Sequence, residues 1–474
     1  MRKGIKKLCF LSILLLIPFG CENKSNKTTK TTERTTITTN ENHVHSFGEW
    51  EVLVDSTCIE KGRKRRYCAC GKFEEDEISL KDHDYVNDVC TICGAERLTS
   101  GFDIDYNDEA STYLIRGYSG TSTTVTITKT YNDGVHGVHD LLILSNIDGD
   151  TSTCCLSEAN IKKIRLAKDY TEMDRAMFSG MKNLEEVVLP STLKIISEKA
   201  FQNCTKLSKV TFGGVTTIGH FAFDNCGFKK VTLPSGMKVL LSNAFSNNTS
   251  LTEIKLNDGL NEIGVNAFNN TAITTLEIPQ TLTNFGYQER MASLNSFVLI
   301  GLNVNFCVSN KCLIDTYENS VIRACVGANI PTNVTSLGLY SFANLDYSSS
   351  STFVIPTNIE YISSYAFAES KFNDIDFGQI EGLGNKVFYN TRFNSYESKT
   401  LTLPNTLTLI NDGAFQNIYV NEVIIPKSVE TLGDDIFKGS KVTAITIYRT
   451  TLQSDYCSMY WDRGITLTPT IIEE

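Results

Sequence analysis

A short pattern of apolar and polar positions recurs along most of the chain. Apolar residues stand two apart with one residue between them, and the run ends at a proline in the units that contain Pro190, Pro234, Pro279 and Pro426. Alternation with a period of two predicts a short strand with one buried side. Proline directly after the run ends the strand, because it has no N–H to donate to the ladder.

A phenylalanine, usually preceded by alanine, marks a second fixed point in each unit. Consecutive copies are 21–27 residues apart, except for one step of 74 residues between Phe268 and Phe342. A unit of about 22 residues is too small to bury its own apolar side, so stacked units must share one core. The sequence therefore predicts a solenoid with a phenylalanine column at Phe178, Phe201, Phe223, Phe245, Phe268, Phe342, Phe367, Phe388, Phe415 and Phe437.

The unit Leu-x2-Val/Ile-x-Leu/Ile-Pro, followed by Ile-x4-Ala-Phe, resembles the BspA-like leucine-rich repeats of bacterial surface proteins, from about residue 98 to residue 470. The resemblance implies a mostly β leucine-rich repeat solenoid with short helical or irregular turns. It also implies a surface protein with a role in adhesion. At the turn after the phenylalanine, it implies that Cys204 and Cys226 are stacked and buried rather than joined in a disulfide.

The repeats divide residues 99–474 into five predicted segments. Alternating residues before the first repeat predict strands that close the open end of the core. Within the 74-residue step, two apolar runs flank a polar turn and predict a β-hairpin. Cys312 and Cys325 stand on these runs, and the sequence leaves open whether they form a disulfide. The segments are an N-terminal β cap (99–160), repeats (161–300), a β-hairpin insertion (301–330), repeats (331–447) and a C-terminal cap (448–474).

The N-terminus carries a predicted export signal. Basic residues at positions 2, 3, 6 and 7 precede an apolar stretch at 8–19. This stretch is shorter than the roughly 20 residues of a membrane-spanning helix. Gly20 and Cys21 at its end resemble a bacterial lipoprotein signal, which implies a signal peptide at 1–20 and a lipid on Cys21. Residues 21–42, rich in threonine, asparagine and lysine, are predicted to form a tether.

Cysteine and histidine are concentrated in residues 43–98, which we predict to form a small Cys/His module similar to a zinc ribbon. Thiolate and imidazole groups suit Zn²⁺, whereas cysteines of exported proteins also form disulfides, and the sequence leaves both readings open. One grouping places four cysteines around zinc: Cys68, Cys70, Cys90 and Cys93. The other combines a first set with a partial second copy: His45, Cys58, Cys68 and Cys70, then His83, Cys90 and Cys93.

The net charge and the absence of common catalytic motifs reduce the number of possible function classes. The chain has 44 Lys+Arg against 54 Asp+Glu, a net charge of −10, and this balance argues against a nucleic-acid-binding protein. The sequence contains no Gly-x4-Gly-Lys-Ser/Thr phosphate loop, no His-Glu-x2-His motif and no Gly-x-Ser-x-Gly motif. We therefore predict that the chain is not an enzyme.

The outward side of the predicted strands is the remaining candidate for function. Residues that alternate with buried ones point outward, and the extended surfaces of solenoids bind macromolecules. We therefore expect a cell-surface protein, lipid-anchored on the extracellular face of a bacterial membrane, that binds a protein or glycan on another cell. The alternatives are a structural envelope spacer without a specific ligand and a sensor subunit that acts through the Cys/His module. The predicted partner-binding residues are Glu186, Lys209, Lys230, Glu253, Lys255, Glu277, Asp374, Asp376 and Glu422.

Overall fold

The computed structural model describes residues 44–58, 60–81, 84–86, 89–91, 96–148, 151–449 and 470–473. It divides the chain into two compact units, residues 1–80 and 81–474. The predicted signal peptide, Cys21, the tether and most of the predicted C-terminal cap lie outside the described residues, as do His83 and Cys93. Within the described part of the chain, no helix is long and apolar enough to cross a membrane.

The first unit is a three-stranded antiparallel sheet of strands Glu51–Val54, Gly62–Tyr67 and Phe73–Ile78, in that order. The second strand is basic and the third acidic, and their register places each cation opposite an anion, from Arg63 opposite Glu77 to Arg66 opposite Glu74. Opposite charges on directly facing residues stabilise a strand pair. The pairing therefore explains how a small sheet with few buried apolar residues keeps its register.

The second unit opens with short strands that precede the repeats, and they pair antiparallel except for Thr112–Tyr118 with Val138–Ile143, which pair in parallel. A two-stranded hairpin is followed by a four-stranded sheet and a second hairpin. The strands are Tyr85–Val86, Val89–Cys90, Phe102–Asn107, Thr112–Tyr118, Thr130–Asn132, Val138–Ile143, Ser145–Asp148 and Thr151–Cys154. Strand Thr124–Ile127 then pairs in parallel with the first repeat strand, Lys163–Leu166. Strands are thus present before the first repeat, as the alternating residues there predict.

The repeats form a β-solenoid of about 13 turns, with no α-helix among the described residues and one 3-10 turn at Tyr396–Ser398. The first strand row follows the Leu-x2-Val pattern. Its strands are Lys163–Leu166, Glu186–Val188, Lys209–Thr211, Lys230–Thr232, Glu253–Lys255, Thr275–Pro279, Ser296–Ile300, Phe353–Val354, Ile375–Asp376 and Thr400–Thr402. The row continues through the second half of the long strand Tyr419–Ile425 and into Lys441–Arg449.

The second strand row lies at the Ile-x4-Ala-Phe element, and most of its strands are two residues long. Its members before the hairpin insertion are Ile195–Ile196, Thr217–Ile218, Val239–Leu240, Glu262–Ile263 and Asn284–Phe285. After the insertion the row is Ser336–Leu337, Tyr361–Ile362, Gly382–Leu383, Leu409–Ile410 and Thr431–Leu432. One isoleucine, leucine or phenylalanine per strand is buried, so two residues suffice to fix the strand on the core.

Among the residues that the structure describes, a third strand row exists only after the insertion. It consists of Asp346–Tyr347, Lys371–Phe372, Arg392–Phe393 and the starts of Tyr419–Ile425 and Lys441–Arg449. Thr470–Glu473 pairs with the end of Lys441–Arg449 and therefore extends the first row. Each of the five third-row strands begins four residues after a column phenylalanine. The second half of the array therefore presents a face that the first half lacks.

The predicted phenylalanine column forms the core. All ten rings are buried, with 0% or 1% exposure. Neighbouring rings stack at centroid distances of 5.3–6.5 Å from Phe178 to Phe268 and 5.4–5.6 Å from Phe342 to Phe437. These separations lie in the range of favourable aromatic pairs. The core is divided into a first cluster, which ends in the insertion, and a second cluster, which begins there.

Two positions in every repeat adopt a left-handed backbone, two residues before and two residues after the column phenylalanine. After Phe201 and Phe223 these residues are Asn203 and Asn225, with φ of 61° and 54°. Asparagine tolerates this conformation better than other non-glycine residues. The turn directs alternate backbone N–H groups toward the next repeat, as in the bond from Asn203 N to Asp224 O at 2.9 Å.

In six of the repeats, a polar side chain three residues after the column phenylalanine donates to the carbonyl of the preceding column phenylalanine. Cys204 and Cys226 donate from Sγ to the carbonyl oxygens of Phe178 and Phe201, at 3.1 and 3.2 Å. Asn248, Ser370, Thr391 and Ser440 make the corresponding bond in their own repeats. Cys204 and Cys226 are buried thiols and not a disulfide, as the resemblance implied.

The insertion is a three-stranded antiparallel meander, Phe306–Ser309, Cys312–Asp315 and Ser320–Ala324, one strand more than the predicted hairpin. Its strands present one face to each core cluster: Leu313 and Cys325 belong to the first cluster, and Cys312 and Ile314 to the second. Both cysteines are free thiols. Of the two alternatives that the sequence leaves open, the structure has separate thiols at Cys312 and Cys325.

Candidate partner-binding face

The first strand row carries all nine predicted partner-binding residues on its outward side. In strand Lys230–Thr232 the central Val231 is buried and both neighbours are exposed, and Glu253–Lys255 repeats the pattern. The predicted alternation of buried and outward positions is therefore present in the structure. Parallel register places the outward residues of successive repeats side by side, as for Glu186 beside Lys209 and Lys230 beside Glu253.

Most charges on this face are paired with one another. Glu186 lies between two cations, with Oε1 3.0 Å from Lys163 Nζ and 3.2 Å from Lys209 Nζ. The Lys163 ammonium, with Lys209, holds the pKa of Glu186 below its usual value. Lys230 Nζ lies 2.6 Å from Glu253 Oε2. These exposed pairs contribute little to stability, but they neutralise most of the charge on the N-terminal part of the face.

The predicted acidic residues of the second half are also bonded within the array. Asp374 forms an ion pair with Lys399, and Asp376 Oδ1 accepts the backbone N–H of Gly378 at 2.9 Å. Glu422 accepts hydrogen bonds from the hydroxyls of Thr400 and Thr446, at 3.3 and 3.1 Å. Asp374 and Glu422 thus connect neighbouring repeats, whereas Asp376 bonds within its own turn, and these roles are visible only once the strands are placed.

Lys255 and Glu277 differ from the other seven residues of the face. Both are exposed, and neither forms a salt bridge with any residue that the structure describes. They line a hollow of about 340 Å³ at the carboxyl ends of the strands, together with Asn257 and Asp258. The volume lies at the small end of the range for ligand sites. Exposed charge of both signs beside a concavity makes this the part of the face best suited to a partner.

A second hollow occupies the same place in the C-terminal repeats. Its volume is about 800 Å³, and its lining includes Leu403, Asn405, Pro426 and Tyr448. Both hollows lie where a first-row strand meets its Leu-Pro or Ile-Pro turn. Each hollow therefore lies beside a proline that ends a strand. The repeat pattern alone does not show this concavity.

The first unit brings together three of the predicted metal ligands. One ligand atom each from His45, Cys68 and Cys70 lies within 4.8 Å of the others, and Cys70 Sγ is 3.2 Å from His45 Nδ1. One imidazole nitrogen and two sulfur atoms are a donor set that suits zinc. Cys58 is buried in the same unit and Cys90 in the second unit, and neither belongs to this group. The group therefore corresponds to the predicted set that begins with His45.

Comparison with known proteins agrees with the repeat architecture. The family model described as BspA type leucine rich repeat region matches 6 copies, over residues 149–214, 171–289, 319–394 and 390–460. These ranges cover more than half of the chain. No curated protein matches it in sequence.

Two solved structures share the fold. A leucine rich cell surface protein from Faecalibacterium prausnitzii A2-165 is 20% identical with a TM-score of 0.56, covering 77% of this chain and 98% of its own. The pneumococcal vaccine antigen PcpA is 16% identical with a TM-score of 0.53, covering 79% of this chain and 100% of its own. At these identities the likeness concerns the fold.

Proposed function

Because the chain belongs to the BspA-type leucine-rich repeat family, we propose that it is a non-enzymatic cell-surface protein that binds a macromolecular partner through the first strand row. The observation that carries this proposal is the continuous outward surface of that row, with the exposed Lys255 and Glu277 beside a hollow. Two proteins of the same fold are described as a cell surface protein and a vaccine antigen, which supports a location outside the cell.

We also propose how the protein is held and what its first unit contains. A lipid on Cys21 would anchor the chain on the extracellular face of a bacterial membrane, since the basic and apolar residues before it are typical of an exported lipoprotein. The group of His45, Cys68 and Cys70 would hold zinc in a structural role. The partner of the strand row would be a protein or glycan on another cell, which makes the protein adhesin-like.

The test measures adherence of the purified full chain to whole cells and to immobilised extracellular-matrix proteins. Exchange of the two charges in the double variant Lys255→Glu/Glu277→Lys keeps the net charge and should weaken adherence at least tenfold. The matched control exchanges an exposed ion pair elsewhere, Lys182→Glu/Glu158→Lys, whose partners are 2.7 Å apart, and should leave adherence unchanged. If both double variants adhere equally well, the binding site lies outside this part of the face. If the unmodified chain adheres to none of the targets, the structural spacer is favoured.

A further inference from the structure

The third strand row carries a column of outward residues that the first half of the array lacks. Parallel register places Asp346 beside Lys371, Lys371 beside Arg392, Arg392 beside Tyr419 and Tyr419 beside Lys441. Four of these side chains are exposed and Tyr419 is half-buried. Neighbouring strands are about 4.8 Å apart, so the column forms a compact stripe of three cations, one anion and one aromatic ring.

One cation of this stripe is paired with its only anion, and the other two have no carboxylate partner among the described residues. Lys371 Nζ lies 3.1 Å from Asp346 Oδ2, but no described residue forms an ion pair with Arg392. Arg392 instead stands in register beside Lys371, and like charges in facing positions of a sheet are destabilising. Lys441 Nζ lies over the Tyr419 ring, 5.2 Å from its centroid. The stripe is thus a positively charged site on a chain whose net charge is −10.

A hollow of about 400 Å³ lies against this stripe, and polar groups line it. The lining residues are Glu369, Lys371, Asn390, Arg392, Asn417 and Tyr419. Glu369 is already bonded to Arg290, with 2.8 Å between its Oε1 and the guanidinium. The carboxylate in the hollow is therefore partnered, whereas the Arg392 guanidinium has its donors available.

Two asparagines of the hollow also have side chains available for a ligand. Asn390 and Asn417 occupy the left-handed position after the column phenylalanine, with φ of 55° and 59°. At the same position in the first half of the array, Asn225 Nδ2 donates to Asn203 Oδ1 at 2.9 Å. Among the described residues, the side chains of Asn390 and Asn417 make no such bond. Their amides can therefore donate to and accept from hydroxyl groups in the hollow.

From these observations we propose that the third strand row binds an acidic glycan, with the carboxylate of a uronic-acid or sialic-acid residue at Arg392. A guanidinium recognises a carboxylate through two parallel hydrogen bonds. The amides of Asn390 and Asn417 hydrogen-bond the sugar hydroxyls, and the edge of the sugar ring packs on Tyr419. This site is separate from the first strand row and does not depend on the function proposed for that face.

A glycan fits this surface better than an acidic peptide. The strands at the hollow are paired on both sides, since Lys371–Phe372 lies between Asp346–Tyr347 and Arg392–Phe393, so an extended peptide has no free strand edge to join. Tyr419 is the one lining residue with a large apolar surface, and an apolar anchor of a peptide would find no pocket. Hydroxyl-rich sugars match a lining of amides and charges.

The test measures binding of the full chain to polygalacturonate and hyaluronan, with the same polymers after reduction of their carboxyl groups and with poly-glutamate. We expect binding to the carboxylated polysaccharides, loss on carboxyl reduction, and much weaker binding of poly-glutamate. Arg392→Gln should weaken binding at least tenfold and Asn390→Ala several-fold. The control Arg175→Gln removes an exposed arginine from an ion pair with Glu198 and should bind like the unmodified chain.

Three results would overturn the proposal: binding that survives Arg392→Gln, binding that survives carboxyl reduction, or poly-glutamate bound as tightly as the polysaccharides. Failure to bind any of the carboxylated polymers would do the same. Because Arg392 is exposed, its replacement leaves the core intact, and an unchanged thermal unfolding midpoint will show this. The double variant Lys255→Glu/Glu277→Lys should bind the polysaccharides normally, which separates this site from the function proposed for the first strand row.

Discussion

Single residues determine where each turn of the solenoid bends. A residue with positive φ is required two positions after every column phenylalanine, and asparagine fills that place in seven of the ten repeats, including Asn203, Asn225 and Asn247. The side chains then add bonds from one repeat to another, as from Asn270 Nδ2 to Asn247 Oδ1 at 2.8 Å. The same residue thus provides both the backbone conformation and a contact to its neighbour.

Replacement of Asn225 tests these two contributions separately. Asn225→Ala should lower the free energy of unfolding by about 1–2 kcal/mol, because alanine is strained in the left-handed region and the bond to Asn203 is lost. Asn225→Gly loses the same bond without the strain and should cost clearly less. Urea unfolding of the two variants measures the difference. Equal destabilisation by alanine and glycine would contradict the idea that asparagine is needed for its left-handed backbone conformation.

The buried cysteines should be chemically inert. Burial raises the pKa of Cys204 and of Cys226 well above the usual thiol value, and the thiolate is the reactive form. In the reduced native chain at pH 8, iodoacetamide should leave both unlabelled, and both should react after denaturation. Cys70, which is exposed, should react in the native chain once a chelator is present. Mass spectrometry of each labelled cysteine measures this, and rapid native labelling of Cys226 would contradict the packing described.

At the level of elements, the sequence predicts the first strand row and the phenylalanine column because each follows a repeated spacing. It shows the apolar positions of the Ile-x4-Ala-Phe element, but it does not predict that they form a second strand row, and it does not predict the third row. A strand such as Arg392–Phe393 is two residues long with one buried side chain, which is too short for alternation to show. Its existence depends on the stacking of neighbouring repeats. The ion pairs of the first row likewise depend on register, which joins Glu186 to Lys209 across 23 residues of sequence.

The last repeat before the insertion also contains a feature that the sequence pattern does not predict. Within the 74-residue step, Phe285 and Met291 stand where the isoleucine and the column phenylalanine of a repeat would be, and both are buried. The sequence gives no sign of the role of Gln288, whose Oε1 accepts the N–H of Phe268 at 3.0 Å where other repeats use a backbone carbonyl. In this repeat the buried amide side chain of Gln288 takes the place of that backbone carbonyl. Because the replacement occurs once, it leaves no periodic pattern in the sequence.

At the scale of elements, we predict that the first unit binds zinc. The purified full chain should contain about one zinc ion, and His45→Ala or Cys70→Ser should lose it, because each removes a donor from a group within 4.8 Å. His220→Ala, at an exposed histidine of the solenoid, is the control and should retain the metal. Metal analysis after dialysis measures the content. A metal-free chain with Cys68 and Cys70 oxidised would establish the disulfide alternative.

At the scale of the whole repeat array, the insertion decides whether the two core clusters behave as one. Stability in a solenoid is a sum of repeat and neighbour terms, so a weak contact at one place would divide the array. Here the two clusters share one meander, with Leu313 in the first and Ile314 in the second. Tyr340 stacks on Tyr287 across the same step, at 5.2 Å between centroids. The insertion therefore couples the two blocks of repeats.

This coupling predicts one cooperative unfolding transition for the array. Phe223→Ala and Phe388→Ala, one in each cluster, should each lower the midpoint of that single transition, because each leaves a cavity that costs about 3–5 kcal/mol. Leu313→Ala should instead separate the transition into two, since it weakens the contact through which the clusters stabilise each other. Hydrogen exchange of peptides from both blocks, followed through urea unfolding, distinguishes these outcomes. Two transitions in the unmodified chain, or one unchanged transition in Leu313→Ala, would show that the insertion only separates the clusters.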